Sequence, residues 1–172
     1  MRSVIIGLAL VFASHSALAQ QPAAQPSLSA PPTSRTMVSS ADVAALIAKA
    51  RTDRKEGQAL LAQSMIQIAP YNISLEYRAL VANAAVHDHE AELFYVVDGS
   101  ATLVTGGRLK DEKRTNAENL NGSGIEGGVS RHVAKGDFIM VPEGTPHWFS
   151  AIDGTVVLMS LHLPRPAANT AK

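Results

Sequence analysis

Five ionisable side chains stand together at the start of an apolar segment of the chain. The segment, AVHDHEAELFYVVDG, spans residues 85–99 and carries His87, Asp88, His89, Glu90 and Glu92. Residues i and i+2 of a β-strand project from the same face, so a strand here would present both histidines together. Neutral imidazole nitrogens and a nearby carboxylate bind divalent transition metals. The pattern predicts half of a metal site; the alternative is a solvated loop before a core strand.

A second segment, GDFIMVPEGTPHW at residues 136–148, predicts a strand, a tight Pro/Gly turn and a histidine at the start of the next strand. Together the two segments resemble the paired motifs of the cupin superfamily. The first motif is H-x-H, then Glu and, after six intervening residues, Gly, and it is matched by His87, His89, Glu92 and Gly99. The second motif is Gly, Pro-x-Gly and His at fixed spacings, and it is matched by Gly136, Pro142, Gly144 and His147.

The resemblance implies an all-β fold, a small double-stranded β-helix (cupin or jelly-roll) barrel with one divalent metal ion in its mouth. By position, the implied metal ligands are His87, His89, Glu92 and His147. Three imidazoles and one carboxylate would leave two positions of an octahedron open to water, dioxygen or a bidentate substrate. Mn, Fe, Ni, Cu and Zn all accept such a set, so the residue types do not choose among them.

The implied function is that of an exported cupin that binds or transforms a small molecule in the barrel mouth, as a metal-dependent enzyme of dioxygenase, lyase or isomerase type. Glu90 or His132 would serve as acid or base if either faces the cavity. Two alternatives stay open. One is a non-catalytic barrel that binds a small ligand or a metal, and the other is a structural barrel that forms a homodimer and has a vacant site.

The first motif departs from the family pattern in its spacing. Only Glu90 and Ala91 separate His89 from Glu92, one residue fewer than the family's minimum. In an unbroken strand Glu92 would face away from both histidines, so a bend near Glu90 and Ala91 is needed to turn it inward. Glu90 therefore remains an alternative ligand. Val81 also replaces the Gly that begins the first motif, and Ala151 replaces the Asn that often ends the second.

The N-terminus has the layout of a secretory signal peptide, with Arg2, an apolar run over residues 4–13 and small residues before Gln20. Such a signal would direct export of the protein, most simply to a bacterial periplasm. Cleavage after Ala19 would remove residues 1–19 and leave no membrane attachment. The remaining 153 of 172 residues are enough for one domain. They contain no cysteine, and their 14 basic and 15 acidic residues offer no basic surface for nucleic acid.

Residues 20–39 are rich in Pro, Ala, Gln and Ser and predict a disordered leader. An N-terminal helical extension is predicted over residues 40–69, with Ser40 as its cap and a first helix closing at Gly57, although residues 58–69 also fit the start of a strand. The barrel is predicted over residues 70–166, and residues 167–172 are predicted to be a flexible tail. The strands of the barrel are expected at residues 71–77, 93–97, 101–105, 129–133, 138–141 and 156–163.

Residues 108–128 form a charged and then glycine-rich excursion between two strands. It contains GSGIEG at residues 122–127, which matches G-x-G-x-x-G but lacks the strand and helix that a dinucleotide site requires. A flexible loop is the prediction, either a lid or an oligomer contact. His132 and His162 are predicted to be packed or hydrogen-bonded residues. Tyr95, Trp148 and Phe149 would line the cavity or pack the core.

Overall fold

The computed structural model describes residues 35–165, so the predicted signal peptide, most of the leader and the tail lie outside the described residues. One helix, α1 (Ser40–Asp53), precedes eleven strands. The strands are β1 (Leu60–Ile68), β2 (Tyr71–Arg78), β3 (Ala84–His87), β4 (Glu90–Thr105), β5 (Arg108–Lys110), β6 (Lys113–Arg114), β7 (Asn119–Gly122), β8 (Gly124–Glu126), β9 (Val129–Ala134), β10 (Phe138–Val141) and β11 (His147–Pro164). The prediction of an all-β fold with a short N-terminal helix is confirmed.

The helix is capped by Ser39 rather than by the predicted Ser40. The Asp42 backbone N–H donates to Ser39 Oγ at 3.2 Å, and the Ser39 backbone N–H donates to the Asp42 carboxylate at 2.9 Å. This reciprocal pair satisfies two N–H groups that would otherwise lack partners at the helix start. The helix ends at Asp53, before the predicted end at Gly57, because Arg54 turns to an extended conformation. In residues 35–165, no helix is long and apolar enough to cross a bilayer.

The predicted helical extension over residues 40–69 is corrected in its second half. Residues 60–68 form β1, which pairs antiparallel with β2 and buries Met65 against the sheet's helix-covered face. This is the strand alternative that the sequence left open for residues 58–69. Along one edge, β1 pairs with β2, and helix propensity is too weak to outweigh such tertiary pairing.

Nine strands form one sheet in which β1, β2, β11, β3, β7 and β6 are neighbours in that order. The long strand β4 pairs with β11, β9 and β10, while β5 and β8 form a separate two-stranded ladder. Among the described residues the hydrogen-bonded ladder does not close into a ring. The predicted loop over residues 108–128 is thus replaced by four short strands, and β7 adds to the edge of β3.

Two predicted strands, residues 93–97 and 101–105, are joined into the single strand β4 without an intervening turn. Gly99 lies at the junction with φ +77°, a conformation that L-residues with a side chain rarely adopt. A Cβ added there would lie 2.0 Å from the carbonyl oxygen of Thr155 on β11. Glycine therefore lets β4 bend while the backbone of β11 approaches it closely.

The sheet has apolar residues on both faces. One cluster lies between β4, β9, β10 and β11 and includes Phe94, Val96, Leu103, Phe149 and Leu158. The other lies beneath α1 and includes Ala50, Met65, Leu75, Tyr77 and Val157. Neighbouring residues of β11 serve different clusters because successive side chains of a strand point to opposite faces. The sheet is consequently held by packing on both sides.

Candidate metal centre

Glu92 is the buried carboxylate around which the candidate site is built. It stands near the start of β4 with only 3 % of its surface exposed. Phe94 and Val96, two and four residues further on, are fully buried in the core, so Glu92 continues their inward-facing row. No bend interrupts β4 between Glu92 and these two core residues, so the strand itself places the Glu92 side chain in the interior. The structure therefore selects Glu92 over Glu90 as the inward-facing carboxylate.

Three histidines from different strand ends surround this carboxylate. His87 ends β3, His147 begins β11 and His162 lies near the end of β11. The Nε2 atoms of His87 and His147 lie 3.3 and 3.1 Å from Glu92 Oε2, and Nε2 of His162 lies 3.4 Å from Oε1. Ser160 Oγ donates to Oε1 at 2.5 Å. These five side chains are called the Glu92 cluster below.

The two sequence motifs meet through backbone as well as side chains. The Gly144 N–H, in the turn of the second motif, donates to the carbonyl oxygen of His87 at 2.7 Å. The backbone of Gly144 has φ +66°. Ala85 of β3 pairs directly with His147 of β11. The turn and the strand register together bring the imidazoles of His87 and His147 to a centroid separation of 5.3 Å.

Each imidazole in the cluster has its other ring nitrogen engaged by an acceptor. His87 Nδ1 lies 2.6 Å from Asn119 Oδ1, His162 Nδ1 lies 3.0 Å from Glu90 Oε2, and His147 Nδ1 lies 3.3 Å from the Thr145 carbonyl oxygen. A proton on Nδ1 satisfies each acceptor and leaves the Nε2 lone pair directed at the cluster. That is the tautomer and outer-shell arrangement typical of metal-binding histidines.

The electrostatics of the cluster favour an ionised carboxylate. Burial alone would raise the pKa of Glu92, yet hydrogen bonds from His147 and His87 and the nearby imidazoles hold this pKa well below its usual range. Burial opposes the charged form of His87, but its hydrogen bonds to Glu92 and Asn119 raise its pKa above 6.5. Without a bound cation the buried carboxylate and His87 therefore stabilise each other as an ion pair.

His89, the second histidine of H-x-H, is not part of the cluster. The strand β3 ends at His87, and the chain bends at the next two residues, where the Asp88 N–H donates to the Glu118 carbonyl oxygen at 2.8 Å. The rule that i and i+2 share a face applies only within a strand, so the bend separates the two imidazoles. The His89 side chain is 57 % exposed, and its Nε2 lies 3.9 Å from Glu118 Oε2.

Of the four predicted ligands, the structure brings together His87, Glu92 and His147 and leaves out His89. His162 takes the remaining place, although the sequence favoured a packed or hydrogen-bonded role for it. Ligand atoms of His87, Glu92 and His162 all lie within 4.8 Å of one another, close enough to hold one metal ion. The signal for His162 was its alternation on β11, where Ser160 and His162 face the side opposite to the apolar residues Met159, Leu161 and Leu163.

The cluster opens into a cavity of about 350 Å³. It is lined by Leu60, Glu76, Arg78, Ala82, Asn83, Ala85, His87, Glu92, Asn121, His147 and His162. Neither Glu90 nor His132 is among these residues, and His132 is 63 % exposed beside Asp153. This volume lies at the low end of the range for small-molecule pockets.

The three aromatic residues singled out in the sequence pack against protein instead of lining this cavity. Phe149 is buried in the core, and Trp148 Nε1 donates to the Ala82 carbonyl oxygen at 2.8 Å. The Tyr95 ring lies 6.0 Å from that of Phe138. Their role in residues 35–165 is therefore structural packing, one of the two roles that the sequence allowed.

A family model described as Cupin matches residues 59–171 of the chain. No curated protein matches the chain. Among solved structures, iron(II) HppE is similar at 13 % identity and a TM-score of 0.49, over 64 % of this chain and 54 % of that one, about half its length. KdgF from Halomonas sp. is similar at 15 % identity and a TM-score of 0.47, over 66 % of this chain and 87 % of that one. A protein with a double-stranded β-helix domain from Klebsiella pneumoniae is similar at 15 % identity and a TM-score of 0.47, over 66 % of this chain and 80 % of that one.

Proposed function

This chain belongs to the cupin family, and from that premise we propose that its Glu92 cluster binds one divalent transition-metal ion and, through it, a small molecule. The family resemblance and the double-stranded β-helix fold that it implied are thereby confirmed. The proposed ligands are His87, Glu92, His147 and His162. They replace the set with His89 that the sequence motif implied, because the bend after β3 carries His89 to the surface.

One observation carries this proposal. Three imidazole Nε2 atoms converge on one buried carboxylate, while each Nδ1 atom is held by an acceptor outside the cluster. Histidines that served only to pack the core would not need this common orientation. Nitrogen and carboxylate oxygen donors suit Mn, Fe, Ni, Cu and Zn, so the donor set fits a transition metal without choosing one.

The cavity in front of the cluster supports a small-molecule partner. A metal ion held there would act as a Lewis acid on an oxygen atom of the bound molecule. The protein's own part is to hold Nε2 lone pairs towards the ion, through Asn119, Thr145 and Glu90, and to keep Glu92 ionised. In its finer form the proposal is an enzyme of dioxygenase, lyase or isomerase type.

A second candidate function is a non-catalytic barrel that only binds its ligand. It is favoured by one observation, namely that neither Glu90 nor His132, the two acid–base candidates from the sequence, lines the cavity. Product formation from a bound small molecule, followed by NMR with metal-loaded protein, separates the two. Binding without turnover across dioxygenase, lyase and isomerase substrates supports the second candidate.

The metal proposal is tested by the metal content of the purified protein. We expect about one equivalent in the wild type and a loss in His87→Ala and His147→Ala, with His132→Ala as a matched control because His132 is exposed outside the cluster. Circular dichroism establishes that each variant is folded. A wild-type protein that carries no stoichiometric metal, and takes up none of the five candidate ions, would refute the proposal.

We also propose that the protein is exported and acts in the periplasm. The support is the layout of residues 1–19, which lie outside the described residues. Mass spectrometry of the protein recovered from the periplasm should give a mature N-terminus at Gln20. Recovery of a full-length chain from the cytoplasm would argue against export.

A further inference from the structure

A second charged group lines the same cavity as the Glu92 cluster. Arg78, at the end of β2, places Nη2 and Nε 2.7 and 2.9 Å from the same oxygen, Oε2 of Glu76. Only 12 % and 10 % of these two side chains are exposed. A buried ion pair is costly to desolvate and adds little to stability compared with apolar residues. Its position on the cavity wall points to a role in recognising a ligand.

The guanidinium of Arg78 is held in place but not fully used. It lies 4.7 Å from the centre of the Phe149 ring, so a cation–π contact and Glu76 fix it from two sides. Both of its bonds to Glu76 end on one oxygen, and within residues 35–165 its Nη1 atom donates no hydrogen bond. An Arg side chain has five N–H donors in a planar fork that matches a carboxylate. Donors therefore remain for a ligand.

The charges along the cavity wall indicate what that ligand carries. Among the described residues that line the cavity, Arg78 is the one lysine or arginine, and it is opposed by the carboxylates of Glu76 and Glu92. With neutral imidazoles the wall has one net negative charge, and a divalent cation at the Glu92 cluster would change that to one positive charge. A singly charged anion then neutralises the loaded cavity, whereas a dianionic phosphate would exceed it.

We infer that the cavity receives a small monocarboxylic acid with a second oxygen, that is, a hydroxy or keto acid. Its carboxylate lies on the free donors of Arg78, and its hydroxyl or carbonyl oxygen faces the Glu92 cluster. The second oxygen and the choice of a single negative charge rest on the proposed metal function, whereas the contact of a carboxylate with Arg78 rests on the free donors of Arg78. The volume of about 350 Å³ accommodates a short acid.

Isothermal titration calorimetry of the full chain tests this inference in the metal-free and zinc-loaded forms. The probes are glycolate, lactate and pyruvate, with glycolamide, lactamide and pyruvamide as neutral counterparts of the same shape. We expect each acid to bind at least about tenfold more tightly than its amide, as a charge-assisted hydrogen bond to Arg78 predicts. Inorganic phosphate should bind more weakly than the acids.

The variant that removes the contact must leave the net charge of the cavity wall unchanged. Arg78→Gln alone leaves Glu76 buried without its partner and risks unfolding, so the double variant Glu76→Gln/Arg78→Gln is the main test. It should lose the preference for acids over amides while keeping the zinc stoichiometry. Arg131→Gln is the matched control, because Arg131 is an exposed arginine outside this cavity, and it should keep the preference.

Two results overturn the inference: acids and amides that bind equally to the wild type, and an acid preference that survives in the double variant. Zinc binding without any acid preference leaves the metal proposal standing and refutes the carboxylate site. An Arg78-dependent preference for acids in a protein that binds no zinc leaves the carboxylate site standing and refutes the metal proposal. The two proposals therefore fail separately.

Discussion

Glu92 and His162 lie directly opposite each other on the antiparallel strands β4 and β11, and their side chains meet with His162 Nε2 3.4 Å from Glu92 Oε1. Two residues earlier on β11, Ser160 donates to the same oxygen at 2.5 Å. The register of the two longest strands thus brings a histidine that neither motif contains into contact with the carboxylate of the first motif.

The first prediction concerns which histidine completes the metal site. We expect His162→Ala to weaken zinc binding by more than the roughly 10–100-fold that loss of an outer-shell partner typically costs. His89→Ala should leave the zinc affinity unchanged, because the His89 side chain is 57 % exposed and outside the cluster. Competition with a chelator of known affinity measures both. The reverse ranking of the two variants would restore the ligand set implied by the H-x-H motif.

The second prediction concerns Asn119, which accepts from His87 Nδ1 at a distance of 2.6 Å. Asn119→Ala should reduce zinc affinity by roughly 10–100-fold, because the ring of His87 loses the acceptor that fixes its tautomer. Asn119→Asp keeps an acceptor and should retain most of the affinity. Asn116→Ala, an exposed asparagine nearby in the chain, serves as control. Equal affinity in Asn119→Ala and Asn116→Ala would show that Asn119 does not orient His87.

The third prediction is a pH dependence of metal binding. The pKa of His87 is raised above 6.5 because its hydrogen bonds to Glu92 and Asn119 outweigh the effect of burial, so this imidazole holds its proton to a higher pH than an unperturbed histidine does. Zinc requires the neutral ring and displaces that proton. The affinity should therefore rise with pH, by about tenfold per pH unit below the pKa for each proton displaced. Chelator competition from pH 6 to 8 in roughly half-unit steps measures the slope. A flat profile would mean that His87 is not a ligand.

The sequence motifs predicted the carboxylate, two of the three clustered histidines and the fold, because these depend on local spacing. Glu92 and His147 sit at fixed distances from turns that the residues themselves specify, such as the Gly144 turn. His89 was misplaced because the period-two rule assumes an unbroken strand. The spacing to Glu92 indicates a bend, but nothing in the letters HDHE shows that the bend comes directly after His87. The bend became visible only with the backbone hydrogen bond between Asp88 and Glu118.

His162 was missed for a different reason. It lies 70 residues after Glu92 in the chain, and its contact depends on the register of β4 against β11, which contains three irregularities. Each irregularity shifts the pairing, and a shift of one residue turns a side chain to the opposite face. Asn119 was missed in the same way, since the loop prediction for residues 108–128 hid the strand β7 that carries it. Long-range pairing is not readable from local patterns.

The fourth prediction concerns the close approach at Gly99. Gly99→Ala should destabilise the protein by more than about 3 kcal/mol, because a Cβ there would lie 2.0 Å from the Thr155 carbonyl oxygen in addition to the strained φ. Gly136→Ala is the matched control, with φ +96° and, within residues 35–165, no heavy atom within 4 Å of the added Cβ. It should cost only the backbone strain, about 1–2 kcal/mol. Urea unfolding measures both, and equal losses would mean that the backbone of β11 yields to the added methyl group.

The fifth prediction concerns the stability of the metal-free protein with Glu92→Gln. The pKa of Glu92 is lowered in the folded protein, so its ionised form contributes stability above pH 4.5. This contribution is lost as the pH falls towards the folded-state pKa. The raised pKa of His87 acts in the opposite direction. Its contribution to stability is complete below pH 6.5 and is lost as the pH rises through the folded-state pKa.

Both contributions are therefore present together between pH 4.5 and 6.5. In that window we expect Glu92→Gln to lower the free energy of unfolding by about 2–3 kcal/mol, the size of hydrogen bonds to a charged group. The difference from the wild type should shrink at about pH 3, where the ionised carboxylate loses its advantage, and at about pH 9, because the contribution of His87 is lost as the pH rises above 6.5 through its raised pKa. Urea unfolding of chelator-treated protein at the three pH values, with Glu118→Gln as an exposed control, measures it. A difference that is constant with pH would show that Glu92 stabilises the fold through its shape instead of its charge.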